Sequence, residues 1–117
     1  MIVKKKLTLF HNTRCSKSRN CLKIIREKKL SFNQIEYIKE GLSLSTLTHI
    51  VDNLIDPLRN LVRTNEKEFK SNPIDTSDEK MVISFLNKYP KCMQRPLFYD
   101  GLRYVICRPP ETVINYL

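Results

Sequence analysis

Nowhere does this sequence hold an apolar run that approaches the ~18 residues a bilayer-spanning helix needs. Low-complexity tracts are absent too, and the four cysteines, at positions 15, 21, 92 and 107, include no Cys-x-x-Cys pair. These absences exclude a spanning helix, a compositionally disordered tract and a closed zinc site. There is no interleaving of aromatic and basic residues and no helix-turn-helix pattern, so nucleic acid is not the expected partner. The three lysines within Met1–Lys6 are followed by an apolar stretch of only Leu7 to Phe10, which lacks the h-region of a signal peptide. The expectation is a cytoplasmic, soluble protein whose thiols stay reduced, so its cysteines are better read as catalytic or buried than as disulfides.

What is present fits one domain, expected to occupy residues 1–117. The chain is 41% hydrophobic and carries a formal charge of +9, from 21 Lys and Arg against 12 Asp and Glu. Such an excess raises the local concentration of anionic partners, whether oxyanion, acidic protein or nucleic acid, although part of it need only keep the surface solvated.

Leu7, Leu9 and Phe10 around β-branched Thr8 predict a short buried strand, followed by a loop over Asn12 to Arg14. From Ser16 onward Cys21, Leu22, Ile24 and Ile25 recur on one helical face, with Arg19, Lys23 and Arg26 opposite. Phe32 to Ile38 suits a second strand, parallel to the first across a right-handed crossover. Ser43 or Ser45 then caps a helix bearing Leu44, Leu47, Ile50, Val51 and Leu54. A short helix follows from Asp56, with Pro57 in its first turn and Asn65 as a left-handed stop. Thr76 and Glu79 form a capping-box pattern ahead of Met81, Val82, Phe85, Leu86 and Tyr89. These helices, at about 43–90, have no strand among them and read as an insertion beside the sheet. Leu97-Phe98-Tyr99, Asp100-Gly101 and Tyr104 to Cys107 predict an antiparallel hairpin with a tight primed turn. Pro109 and Pro110 open a closing helix bearing Val113, Ile114 and Leu117. The order βαβ, helices, ββα is an α/β class chain in the thioredoxin-like layout, with a four-stranded mixed sheet.

In that layout Cys15 falls where the first strand gives way to the first helix. The unpaired amides and the dipole of a helix start stabilise a thiolate, and Arg14, Lys17 and Arg19 add positive charge. Cys15-Ser16-Lys17-Ser18 has the form Cys-x-x-Ser, so a second sulfur three residues on is missing and the loop is a monothiol.

Four ordered motifs carry a resemblance. They are His11-Asn12-x-Arg14-Cys15-Ser16-Lys17-Ser18-Arg19, Leu61-Val62-Arg63-Thr64-Asn65-Glu66-Lys67-Glu68, Arg95-Pro96, and Arg108-Pro109-Pro110-Glu111. Together they resemble the arsenate reductase family of thioredoxin-fold proteins, the ArsC/YffB type, from Leu7 nearly to the C-terminus. The resemblance implies an oxidoreductase in which the Cys15 thiolate attacks arsenate or a related oxyanion. It implies that Arg63, Arg95 and Arg108 gather the oxyanion, the planar guanidinium fork being suited to tetrahedral oxygens. His11 would help to lower the cysteine pKa, Pro96 would be the cis-proline facing the nucleophile, and Asn12 and Ser18 would donate to the anion. Each has a plainer alternative: a structural histidine, a charged helix or strand end, a trans proline, a local turn cap. No metal or bound cofactor is implied; glutathione is the implied co-substrate and glutaredoxin the implied protein partner.

Among the other thiols, Cys21 is expected in the core and Cys107 as a small strand residue, in a place where relatives often have glycine. Cys92 is either a resolving thiol or an exposed bystander. Thr13 stands where relatives often have proline, Asn65 replaces a glycine, and relatives with established arsenate activity tend to be longer. The alternative reading is a redox-responsive regulator similar to Spx-type proteins of the same fold family, which engage RNA polymerase. Those usually sense through Cys-x-x-Cys, which this loop lacks.

Overall fold

The computed structural model describes residues 7–117; the lysine-rich opening, Met1–Lys6, lies outside the described residues. Strand β1, Thr8–His11, is buried along its whole length, as a strand covered on both faces must be. It pairs in parallel with β2 (Asn33–Glu36) and antiparallel with β3 (Leu97–Tyr99), which pairs antiparallel with β4 (Tyr104–Ile106). The sheet order is β2-β1-β3-β4.

Register aligns Leu9 with Phe98 and Phe98 with Val105. Successive side chains on a strand point to opposite faces, so this row shares one face. There it packs with Leu7, Cys21, Ile25, Cys107 and Val113 under α1 (Ser16–Glu27) and a closing 3-10 helix, Pro110–Tyr116. Phe10, Leu97 and Ile106 face the other way, into a larger core with Tyr37, Leu47, Ile50, Val82, Leu86 and Met93. That side is closed by the helices between β2 and β3: α2 (Tyr37–Glu40), α3 (Leu44–Asp52), α4 (Lys67–Ser71) and α5 (Glu79–Lys88). Two 3-10 turns, Leu58–Leu61 and Pro90–Cys92, complete this layer. The arrangement is thioredoxin-like. Among the described residues no helix is long and apolar enough to cross a membrane.

Several local expectations are corrected. Strand β2 stops at Glu36, because Tyr37 turns into a helix that buries its ring completely and lets its hydroxyl donate to the Met93 carbonyl at 2.8 Å. Helix α5 is capped by Asp78, whose Oδ1 accepts from Met81 N at 3.1 Å, and not by Thr76. Asn65 is not left-handed; among the described non-glycine residues only Lys29, just after α1, has positive φ, 57°. Asp56 does not start a helix: its Oδ2 accepts from Ile106 N at 2.8 Å, and Pro57 precedes the 3-10 turn. The hairpin loop has four residues, since Tyr99 pairs with Tyr104. Asp100 Oδ1 accepts from both Leu102 N and Arg103 N, and only Gly101 there takes positive φ, 100°. The closing helix is 3-10, burying Val113 and leaving Ile114 and Leu117 at the surface. Helix α4 was not anticipated; it has no fully buried residue, and Phe69 meets Phe85 edge-on at 5.8 Å.

One contact between these elements positions the site. Val62 bridges Met93, Arg63 N donates to the Cys92 carbonyl at 2.7 Å, and Gln94 N donates to the Leu61 carbonyl at 2.7 Å. Residues distant in sequence are thereby zipped side by side, with Arg63 and Arg95 following.

Candidate active site

The loop after β1 is closed by its own polar groups. Cys15 N donates to the Asn12 carbonyl at 3.0 Å, Asn12 Oδ1 accepts from Arg14 N at 3.0 Å, and Arg19 Nη1 donates to the Thr13 carbonyl at 2.9 Å. Thr13 is therefore held by an arginine one turn into the helix, which compensates for the absent proline. Asn12 organises the turn as an Asx residue does.

Cys15 is the N-cap of α1, with extended backbone (φ −94°, ψ 122°) and a partly exposed side chain. Burial pushes its thiol pKa up, but donation from Ser18 N–H, the Ser18 hydroxyl and Lys17 N–H, with the charge of Arg108, more than offsets this. The net shift is downward. Ser18 itself is fully buried, and its Oγ accepts from Asn12 N at 3.3 Å while donating to the sulfur.

Arg108 meets the sulfur, and the charges of Arg63 and Arg95 act on Arg108. Arg108 Nη2 lies 4.0 Å from Cys15 Sγ, and its Nε donates to the Arg95 carbonyl at 2.8 Å. Arg95, 8% exposed, donates from Nη1 to the Lys91 carbonyl (2.9 Å) and Tyr37 Oη (3.4 Å), and the Cys15 charge helps to raise its pKa. Arg63 Nη1 donates to Gln94 Oε1 at 2.7 Å, and its Nε pairs with Glu66 Oε1 at 3.2 Å. Arg95–Pro96 and Arg108–Pro109 are both cis, and Cys107 N donates to the Pro96 carbonyl at 2.9 Å, binding the two segments together. Burial, then the neighbouring Arg63, lowers the Arg108 pKa, with the Cys15 charge opposing and Arg95 adding to it.

His11 does not reach the sulfur. It is 2% exposed, neither ring nitrogen has a hydrogen-bond partner among the described residues, and burial lowers its pKa against the pull of Glu36. Burial favours its neutral form, and the groups that lower the Cys15 pKa are Ser18, Lys17 and Arg108.

Cys92 is fully buried, which corrects the expectation of an exposed thiol; burial, Glu68 and Glu66 push its pKa up. Cys21 and Cys107 are buried in the core under α1, where a hydrogen bond with Cys21 and burial hold Cys107 well above the ordinary thiol range. Among the described residues no three His, Cys, Asp or Glu side chains are grouped to hold a metal ion.

Two residues that sequence reasoning passed over complete the site. Tyr37, its hydroxyl pKa pushed up to about 12 by burial, anchors Arg95 and the Met93 carbonyl. Glu66 holds Arg63 and lies 3.8 Å from Arg95. Its three-residue spacing from Arg63 was the available signal, since such pairs meet on one turn.

Fold and site together define a thioredoxin-fold protein with one activated thiol, ringed by arginines and without a partner cysteine in the loop. The chain belongs to the ArsC family, whose model matches residues 10–115. It is 31% identical over 112 residues to an arsenate reductase of Haemophilus influenzae, covering 93% of this chain and 97% of that one. It is also 32% identical over 114 residues to the uncharacterised Escherichia coli K12 protein YfgD, covering 95% and 96%. An arsenate reductase structure from Vibrio cholerae superposes with a TM-score of 0.85 over 98% of this chain and 100% of that one; at 22% identity it speaks for the fold.

Proposed function

We propose that this protein is a thiol-linked reductase of arsenate or a closely related oxyanion, with Cys15 as nucleophile. The observation that carries this reading is the meeting of Arg108 Nη2 with the Cys15 sulfur at 4.0 Å, with Arg108 Nε held by the carbonyl of the buried Arg95. A lowered thiol pKa raises the fraction of nucleophilic thiolate, and fixed guanidinium donors stabilise charge that grows on the oxygens.

In the first step Cys15 sulfur bonds to arsenic and an arsenate oxygen leaves as water, with no change of oxidation state. Glutathione thiolate then attacks the Cys15 sulfur, and the S–As electron pair passes to arsenic, releasing arsenite and leaving a Cys15–glutathione disulfide. Glutaredoxin removes the glutathione by thiol exchange and restores the Cys15 thiol. Summed, one arsenate and two thiols give arsenite, a disulfide and water. An external thiol is favoured over Cys92 because Cys92 is buried and its pKa is raised.

The test is a coupled assay with glutathione, glutaredoxin, glutathione reductase and NADPH. Arsenate-dependent NADPH oxidation is expected from the wild-type protein and its abolition by Cys15→Ser. No turnover of fresh arsenate by the wild type would overturn the substrate assignment.

A further inference from the structure

Under that reading Glu66 is out of place, because it sets a carboxylate among the cations meant for the substrate. Its side chain is 17% exposed, with Oε1 at 3.2 Å from Arg63 Nε and 3.8 Å from Arg95 Nη2, and Oε2 at 3.5 Å from Lys91 Nζ. Lys91 is shared with Glu68, whose Oε1 lies 3.5 Å away, so it does not cancel Glu66 alone. Among the enclosed groups, three arginines against the Cys15 thiolate and Glu66 leave a net charge of one positive unit, Arg14, Lys17 and Arg19 being exposed and screened by solvent.

We infer that Glu66 sets the charge class of the substrate: the site takes a singly charged oxyanion and disfavours a doubly charged one of the same shape. A monoanion brings the cluster to neutrality. A dianion leaves one unpaired negative charge in a partly desolvated pocket, which is strongly unfavourable. Selectivity of this kind comes from a repulsive element placed against the wrong ligand. It matters for an enzyme of this type because tetrahedral dianions such as sulfate would otherwise compete for the same arginines. Glu66 remains ionised to play this part: burial raises its pKa, but Arg63, Lys91 and Arg95 together pull it below the ordinary value.

The inference rests on the oxyanion-binding reading, and the experiment separates the two. Cys21, Cys92 and Cys107 are each 0% exposed, so iodoacetamide reports on Cys15 in the folded full chain. Protection of Cys15 is titrated with sulfate and with perchlorate, tetrahedral ions of different charge, at neutral pH and constant ionic strength. Wild type is expected to be protected by perchlorate at concentrations no higher than sulfate requires. Glu66→Gln is expected to improve protection by sulfate about tenfold and by perchlorate less than about threefold. Glu66→Asp, which keeps the charge, is expected to retain the wild-type preference. Equal shifts for both ions in Glu66→Gln, or weakening of both, would show a scaffold role and overturn the inference while leaving oxyanion binding intact. If Glu66→Gln does not fold, tighter protection of wild type by sulfate than by perchlorate overturns it. Protection by neither ion, nor by arsenate, overturns the inference and the reading beneath it.

Discussion

At the start of α1 the Cys15 sulfur faces backbone N–H groups, a serine hydroxyl and Arg108, whereas Cys92 lies enclosed in the core with Glu68 and Glu66 as its principal charged neighbours. Burial opposes ionisation at both. The difference is made by what stands around the sulfur: three donors and a cation override burial at Cys15, and two carboxylates reinforce it at Cys92. A cysteine's chemistry is decided by its surroundings more than by the thiol itself, so two sulfurs of one small protein end on opposite sides of the ordinary pKa.

That contrast can be broken most severely at Arg108. Arg108→Ala removes the guanidinium beside the sulfur and is expected to reduce arsenate turnover by about 10²–10³-fold, the usual effect of losing one preorganised oxyanion donor. The Cys15 alkylation profile should move to higher pH in the same variant, while Cys92 is unaffected. A turnover within twofold of wild type would remove Arg108 from the chemistry.

Ser18→Ala tests the other half of the Cys15 environment with a smaller expected effect. The thiolate is the reactive form, so a lowered pKa extends Cys15 reactivity to lower pH, and that reactivity is lost as pH falls through the folded value. Removing the Ser18 hydroxyl should raise that midpoint and slow alkylation at pH 7 by about tenfold. The same linkage acts on stability. Ionised Cys15 contributes stability above the unfolded thiol pKa, and that contribution is lost as pH falls through the folded pKa. An unchanged midpoint in Ser18→Ala would assign the shift to the Ser18 and Lys17 N–H groups and Arg108.

The smallest effect is expected at the inert thiol. Glu68→Gln takes away one carboxylate facing Cys92 and should speed its slow modification about two- to threefold, because burial, the larger cause of its raised pKa, is untouched. A rate like that of Cys15 would mean that charge and not enclosure protects it.

Much of this was legible in the chain. The strand–loop–helix order puts Cys15 at the cap, where local periodicity is a strong signal, and the hairpin around Asp100-Gly101 is announced by its turn residues. Arg63, Arg95 and Arg108 stand in recognisable motifs. Their meeting depends on the Val62–Met93 bridge, which no local pattern encodes. Tyr37 has strand-like neighbours, yet a hydroxyl seeking the Met93 carbonyl turns it into a helix. Helix α4 is short and mostly polar, so periodicity gives it no signature. The lowering of the His11 pKa comes from enclosure by residues from elsewhere, which adjacency in sequence cannot express.

The chaining of Arg108 to the Arg95 carbonyl has a further consequence, because it holds like charges close enough for Arg95 to lower the Arg108 pKa. An oxyanion bound beside these guanidinium groups would act as a folding ligand. At a hundred times its dissociation constant such an ion adds about 2.7 kcal/mol to the stability of the whole chain. Melting temperatures of this protein would then be properties of protein and buffer anion together, and a screen of buffer salts by thermal shift would rank the ions the pocket accepts without any turnover being measured.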